Sequence, residues 1–116
     1  MDSKQRIALA RNLKRFREGR DWSQAALAQR TGISQAALSY IERRNTKSPA
    51  LDTIEQIAKV FGVPAWAMLL DLDGLSISEI KELDALVECF ICCPADSREQ
   101  ITRTAKREAE YAASKK

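Results

Sequence analysis

Residues 24 to 43, QAALAQRTGISQAALSYIER, constrain the fold more than any other stretch, because two short helical patterns meet there at a single glycine. Gly32 permits the positive φ that a tight turn between two helices needs. Ser23 and Ser34 each stand one residue ahead of a pattern, where a serine oxygen can accept from the unpaired amides of a first helical turn. Ala28 is small where the two helices should cross, and Leu27, Ile33, Leu38 and Ile41 are apolar where the corner must pack on the rest of the chain. Ser34, Gln35, Ala36, Ser39, Tyr40 and Arg43 are then left on the outward face of the second helix, which is polar and nearly free of acidic charge.

The rest of the chain is helical in period, with no alternation of apolar and polar residues long enough for a half-buried strand, so the expected class is all-α. A first helix over about residues 4 to 18 places Ile7, Ala10, Leu13 and Arg17 on one side with Phe16 nearby, and Gly19 supplies its stop. Trp22 then enters the core. After the 24–43 corner the stretch RRNTKSPA has loop composition, and Pro49 bars a helix from running through it. A fourth helix over 51 to 61 carries Leu51, Ile54, Ile57, Ala58 and Phe61 at three- and four-residue spacings and ends at Gly62. Pro64 suits the first turn of a short fifth helix over 65 to 70, in which Trp66, Leu69 and Leu70 close the core. The run Asp71-Leu72-Asp73-Gly74 reads as a boundary, giving a five-helix domain over 1–72 and a C-terminal helical extension over 73–116. In the extension, Ser76 with Glu79 and Asp96 with Glu99 are capping boxes for a sixth and a seventh helix, which can fold back as a hairpin.

A chain of 116 residues fits one compact domain, or a unit of about 70 residues with an appendage. Its 45% hydrophobic and 30% charged residues describe an ordered, soluble protein. The first twenty residues mix charges throughout and lack a signal peptide's apolar core, and no later stretch approaches the roughly 20 apolar residues of a membrane span, so the expected location is cytoplasmic, with no membrane partner. Net charge is +3 but unevenly spread: residues 1 to 70 carry twelve Lys and Arg against six Asp and Glu, and the remainder seven against ten. Such asymmetry suits a front half that meets a polyanion, and it equally suits basic residues that only solvate helix faces.

Enzymatic chemistry finds no foothold. No nucleophile and base are paired, no glycine-rich phosphate loop is present, and the absence of His removes the commonest general base. Cys89, Cys92 and Cys93 fall together in the sixth helix, but three thiols do not complete a four-ligand zinc site within one chain. They read first as buried, small apolar residues, with redox sensing or metal binding between chains as alternatives; no cofactor and no metal is expected.

Residues from about 5 to 70 resemble the helix-turn-helix domain of the phage-repressor and Cro family, also called the xenobiotic-response-element type. The likeness rests on WSQAALAQ at 22–29, GISQ at 32–35, LSYIE at 38–42, Pro49 followed by Leu51, and IAKVFGV at 57–63, which together span all five helices. It implies a lambda-repressor-like fold and an ion pair between Arg17, late in the first helix, and Glu42, at the end of the recognition helix. Two departures stand out. Arg43-Arg44 replaces the Arg-Gly of many relatives, so the turn there is expected to differ, and Ala50 stands where a Ser cap is usual.

The same likeness implies double-stranded DNA as partner, with the third helix in the major groove, where each base pair shows its own pattern of donors, acceptors and methyl groups. Gln35 leads the expected base contacts, since its amide matches adenine N6 and N7; Ser39 and Tyr40 follow, and Ala36 suits a thymine methyl. Phosphate contacts are expected from Gln24, Ser34, Arg43, Arg44, Asn45, Thr46 and Lys47, with Ser34 more a cap than a contact. One such domain covers few base pairs, so a homodimer on a two-fold symmetric operator is expected, acting as a transcriptional regulator of repressor type. Ile80, Leu83, Leu86, Val87, Phe90 and Ile91 form a broad apolar face on the sixth helix, a candidate dimer interface or a surface that packs on the chain's own first domain. The alternative function is an antitoxin-like or adaptor protein whose C-terminal helices bind a protein partner.

Overall fold

The computed structural model describes residues 3–44, 48–72 and 74–115, and every regular element among them is helical. Helix α1 spans Ser3–Gly19, α2 Gln24–Thr31, α3 Gln35–Glu42 and α4 Leu51–Phe61. A short 3-10 helix, Ala65–Leu69, follows, then α5, Ile77–Cys92, and α6, Ala95–Ser114. The fold is all-α, and no described helix is long and apolar enough to cross a membrane. Two compact units divide the chain at 81/82, inside α5.

The first unit, Met1–Lys81, is built around one core. Leu9, Leu13 and Phe16 of α1, Leu27 of α2, Leu38 and Ile41 of α3, and Ile54, Ile57, Ala58 and Phe61 of α4 are all buried there. Trp22 is half-buried and stacks on Phe61 with ring centroids 5.8 Å apart, and the Arg30 guanidinium lies over the Trp22 ring 4.3 Å from its centroid. The buried side of α1 differs from expectation. Ala10, Leu13 and Phe16 are buried as expected, but Ile7 is exposed, and Ala8, Leu9 and Asn12 join the buried set. Asn12 belongs in it because its Nδ2 donates to the carbonyls of Ala67, Met68 and Leu70 at 3.2, 3.0 and 2.8 Å, which ties α1 to the 3-10 helix.

The chain reversals are made by few residues. Gly19 is the last residue of α1, but the left-handed residue that turns the chain into α2 is Asp21, with φ 56°. Gly62 closes α4 at φ 71°, its amide reaching the Ala58 and Lys59 carbonyls. Helix α4 has the expected bounds, yet Leu51 lies outside the core at 62% exposure because the first turn overhangs it. The fifth element is 3-10 rather than α, and with three residues per turn it buries Ala67 and Met68, half-buries Trp66 and Leu69, and leaves Leu70 exposed.

Past the 3-10 helix, Arg15 donates to the Leu75 and Leu72 carbonyls at 2.8 and 3.3 Å, and Leu72, Leu75 and Ile77 pack on the core. The Ser76–Glu79 capping box forms as expected, each side chain accepting from the other residue's amide at 3.1 Å. Ile80, expected on the free apolar face of this helix, is instead wholly buried in the first unit's core and is withdrawn from that face.

The second unit, Glu82–Lys116, holds the rest of α5 and all of α6. Its second capping box does not form: α6 starts at Ala95 behind Pro94, Asp96 accepts only from the adjacent Ser97 amide, and Glu99 pairs with Arg103 at 2.9 Å. The reversal is closed instead by Arg98, whose guanidinium donates to the Phe90 and Ile91 carbonyls at 3.0 and 2.6 Å. Leu83, Leu86, Val87, Phe90 and Ile91 of α5 face Ile101 and Ala105 of α6 across an open apolar groove of about 340 Å³.

Candidate nucleic-acid interface

Each end of the α2–α3 corner is set by a side chain or a backbone freedom that the sequence supplies. The Ser23 hydroxyl accepts from Ala26 N at 3.0 Å and opens α2. Gly32, at φ 77°, ends it by donating to the Ala28 carbonyl at 2.9 Å. A Cβ at this glycine would meet no atom within 4 Å, so the requirement is for the left-handed backbone and not for space. Thr31 Oγ1 donates to the Leu27 carbonyl and accepts from Ile33 N, which fixes the residue that leads into the next helix. Ser34 Oγ then accepts from Ala37 N at 3.1 Å and opens α3.

Leu38 and Ile41 anchor α3 to the core, so its opposite side is turned outward. Gln35, Ala36, Tyr40, Arg43 and Arg44 are exposed and Ser39 is half-buried, so the expected outward set shares one surface. Tyr40 is 50% exposed and carries the Arg43 guanidinium 5.2 Å from its ring centroid, a cation–π contact that holds both side chains beside each other. Ser34 is exposed with its hydroxyl engaged as the cap. Asn45, Thr46 and Lys47 lie outside the described residues.

The acidic residue of α3 is neutralised where it stands. Arg17 meets Glu42 in a two-pronged pair, Nη2 to Oε1 at 2.9 Å and Nε to Oε2 at 3.1 Å, and gives its remaining arm to the Trp22 carbonyl at 2.8 Å. Gln24 Nε2 donates to the same carboxylate at 3.1 Å. The hydrogen bond that Arg17 donates to Glu42 holds its guanidinium above its ordinary pKa, against the opposing effect of burial. Gln24, expected at the phosphate backbone, is half-buried with one amide hydrogen committed to Glu42, which leaves its second amide hydrogen as a donor.

The turn after α3 keeps a glycine-like shape without glycine. Arg44 sits at φ 62°, in the left-handed region that glycine favours, and its amide donates to the Ile41 carbonyl at 3.0 Å. The left-handed backbone is carried at a cost by an arginine whose side chain points to solvent. The cysteines correct an expectation: Cys89 and Cys92 are exposed and Cys93 half-buried, because α5 turns its other side toward the groove. No cluster of three or more Cys, Asp or Glu able to hold a metal ion occurs among the described residues. The sequence reading missed Asn12 and Arg15, two polar residues that lock the frame beneath the corner. Asn12 had a signal, a lone amide on the stripe of Leu9, Leu13 and Phe16; Arg15 had none.

Comparison with known proteins agrees with this geometry. The helix-turn-helix family model matches residues 13–65, which hold α2, α3, α4 and the C-terminal part of α1. A hypothetical transcription factor of Neisseria meningitidis is 38% identical over 65 residues, 56% of this chain and 60% of that protein. The crystal structure of the hypothetical transcription factor NHTF from Neisseria superposes with a TM-score of 0.53 at 38% identity, over 57% of this chain and 75% of that one. The HTH-type transcriptional regulator SutR of Escherichia coli is 45% identical over 56 residues, 48% of this chain and 31% of SutR. The SinR chain in a SinR–SinI complex shares the fold at a TM-score of 0.52 and 22% identity, over 87% of this chain and 98% of that one. The chain therefore spans less than two thirds of the Neisseria factor and of SutR. With the two-helix corner and the Arg17–Glu42 pair beside the 38% identity to NHTF over 75% of that chain, the chain belongs to the Cro and phage-repressor family of helix-turn-helix proteins.

Proposed function

We propose that this chain is a sequence-specific DNA-binding regulator of transcription that represses by occupying a two-fold symmetric operator as a homodimer. The observation that carries the reading is the outward face of α3, where Gln35, Ala36, Ser39 and Tyr40 stand clear of a core that Leu38 and Ile41 anchor. In this reading α3 enters the major groove and Gln35 reads adenine, while Ser39 and Tyr40 reach bases one turn further on. Arg43 and Arg44, with Asn45, Thr46 and Lys47, supply phosphate contacts that set register and salt dependence. Glu42 does not repel the backbone because Arg17 and Gln24 hold its carboxylate.

The second unit supplies the pairing surface. Leu86, Phe90 and Ile91 are 53%, 37% and 63% exposed around the apolar groove, which gives a second copy an apolar face to pack on. In this reading the 1–72 region binds DNA and the extension holds two copies together on half-sites one helical turn apart. The second reading, a protein partner of another kind on the same groove, takes its support from the SinR fold, which was determined in complex with SinI. Selection from a random DNA pool by the full chain tests the proposal. It expects a two-fold symmetric consensus and two chains per site; enrichment of no sequence, or retention of one chain on an asymmetric site, overturns it.

A further inference from the structure

Three reactive side chains take no part in the core or in the α3 face. Cys89, Cys92 and Cys93 are all free thiols, two exposed and one half-buried, at the end of α5. Their spacing matters. On an α-helix, residues three and four apart have Cα atoms about 5 and about 6 Å apart, inside the roughly 4.4–6.8 Å that a disulfide spans. Adjacent residues are about 3.8 Å apart across a trans peptide, below that range, so Cys92 and Cys93 do not suit each other. Cys89 is the partner that any bridge here must use.

The helix itself resists the bond. Side chains at these spacings hold their Cβ atoms about 5–6 Å apart, whereas a disulfide brings them to about 3.8 Å. Closure therefore requires the last turn of α5 to be redrawn. That turn lies at a helix end, where, beyond the helix's own ladder, Cys93 N donates to the Phe90 carbonyl at 3.2 Å and Arg98 donates to the Phe90 and Ile91 carbonyls. Phe90 and Ile91, which lie between the thiols in sequence, are also lining residues of the apolar groove.

We propose that Cys89, with Cys92 or Cys93, is a dithiol switch that closes to an intrachain disulfide and reshapes the groove by opening the last turn of α5. The oxidant is a small-molecule disulfide. One cysteine thiolate attacks it, forming a mixed disulfide and releasing one small thiol; the second cysteine thiolate attacks the protein sulfur of that mixed disulfide and releases the other. Two protein thiols thus lose two electrons and two protons, and one small disulfide becomes two thiols. The neighbouring thiol outcompetes a second chain because short tethers give effective concentrations of about millimolar, far above a dilute protein. The consequence for pairing rests on the homodimer reading above; the disulfide itself does not.

The test treats the reduced full chain with excess glutathione disulfide at low protein concentration. The expected product has the mass of one chain less two hydrogens, with one of three thiols still open to maleimide, and a peptide map that places Cys89 in the bridge. Hydrogen exchange of the 90–93 amides should become faster on oxidation. Three thiols still open, chains carrying only glutathione adducts, dimers linked between chains, or a Cys89→Ser variant that still closes a bridge would each overturn the assignment. Closure with unchanged exchange at 90–93 overturns the opening of the turn. Sedimentation before and after oxidation reads the effect on pairing: a reduced chain that stays monomeric sinks the homodimer reading, and the thiol count then judges the switch by itself.

Discussion

Replacing Arg17 by Ala removes one end of a nearly buried ion pair, and the loss can be sized from its surroundings. The Arg17 and Glu42 side chains are 13% and 6% exposed. Truncation deletes two hydrogen bonds to the carboxylate and one to the Trp22 carbonyl, and leaves Glu42 with Gln24 as its remaining side-chain donor among the bonds described. Stranding one charge of such a pair costs about 3–5 kcal/mol, a large part of the roughly 5–15 kcal/mol that holds a domain folded. At about 4–8 °C per kcal/mol for a unit of this size, the midpoint of thermal unfolding should fall by about 12 °C or more. Urea titration followed by tryptophan fluorescence measures the free-energy loss itself, since Trp22 sits against both the pair and Phe61. Arg17→Met combined with Glu42→Leu strands no charge and should lose less than Arg17→Ala alone. The raised pKa of Arg17 fixes the pH behaviour: its contribution is complete below the unfolded value and lost only as pH rises through the folded one, so the deficit should not vary across the neutral range. A loss under about 1 kcal/mol for Arg17→Ala, or a double variant worse than the single, would refute the reasoning.

Three further changes probe the frame. Asn12→Leu removes the side-chain donor from the Ala67, Met68 and Leu70 carbonyls and should cost about 2 kcal/mol or more, read as a lower urea midpoint with an unchanged slope. Ala50 has the extended backbone of an N-cap, φ −63° and ψ 144°, without a capping side chain, so Ala50→Ser should add about 1 kcal/mol by calorimetry. Arg44→Gly relieves a left-handed arginine and should add about 1 kcal/mol. The same variant should bind all operators more weakly, with a shallower salt dependence in anisotropy titrations.

How far the sequence reached depended on the range of the forces involved. The α2–α3 corner was legible because its determinants are local: Ser23 and Ser34 cap the helix that each precedes, and Gly32 meets a backbone requirement at its own position. The bounds of α4 were legible for the same reason, between Pro49 and Gly62. The buried stripe of α1 was misjudged because Asn12 looks like a surface residue until its three carbonyl partners arrive from more than fifty residues away. Arg44 defeated a residue-type rule, since the turn's hydrogen bond to Ile41 holds a backbone that arginine disfavours. On α5 one apolar pattern hid two duties: Ile80 serves the first core, while Leu86, Phe90 and Ile91 line the groove, and periodicity gives no sign of the change. The outward set on α3 was legible as a surface, because burying Leu38 and Ile41 determines which side is left.

The claim that the α3 face reads base edges is tested most directly by measuring the affinity of the wild-type chain and of Gln35→Ala for the selected operator and for versions altered one base pair at a time. Gln35→Ala should lose about 1–3 kcal/mol of discrimination at one or two positions of each half-site and keep the wild-type pattern elsewhere. Identical discrimination by the two proteins at every position would contradict the account.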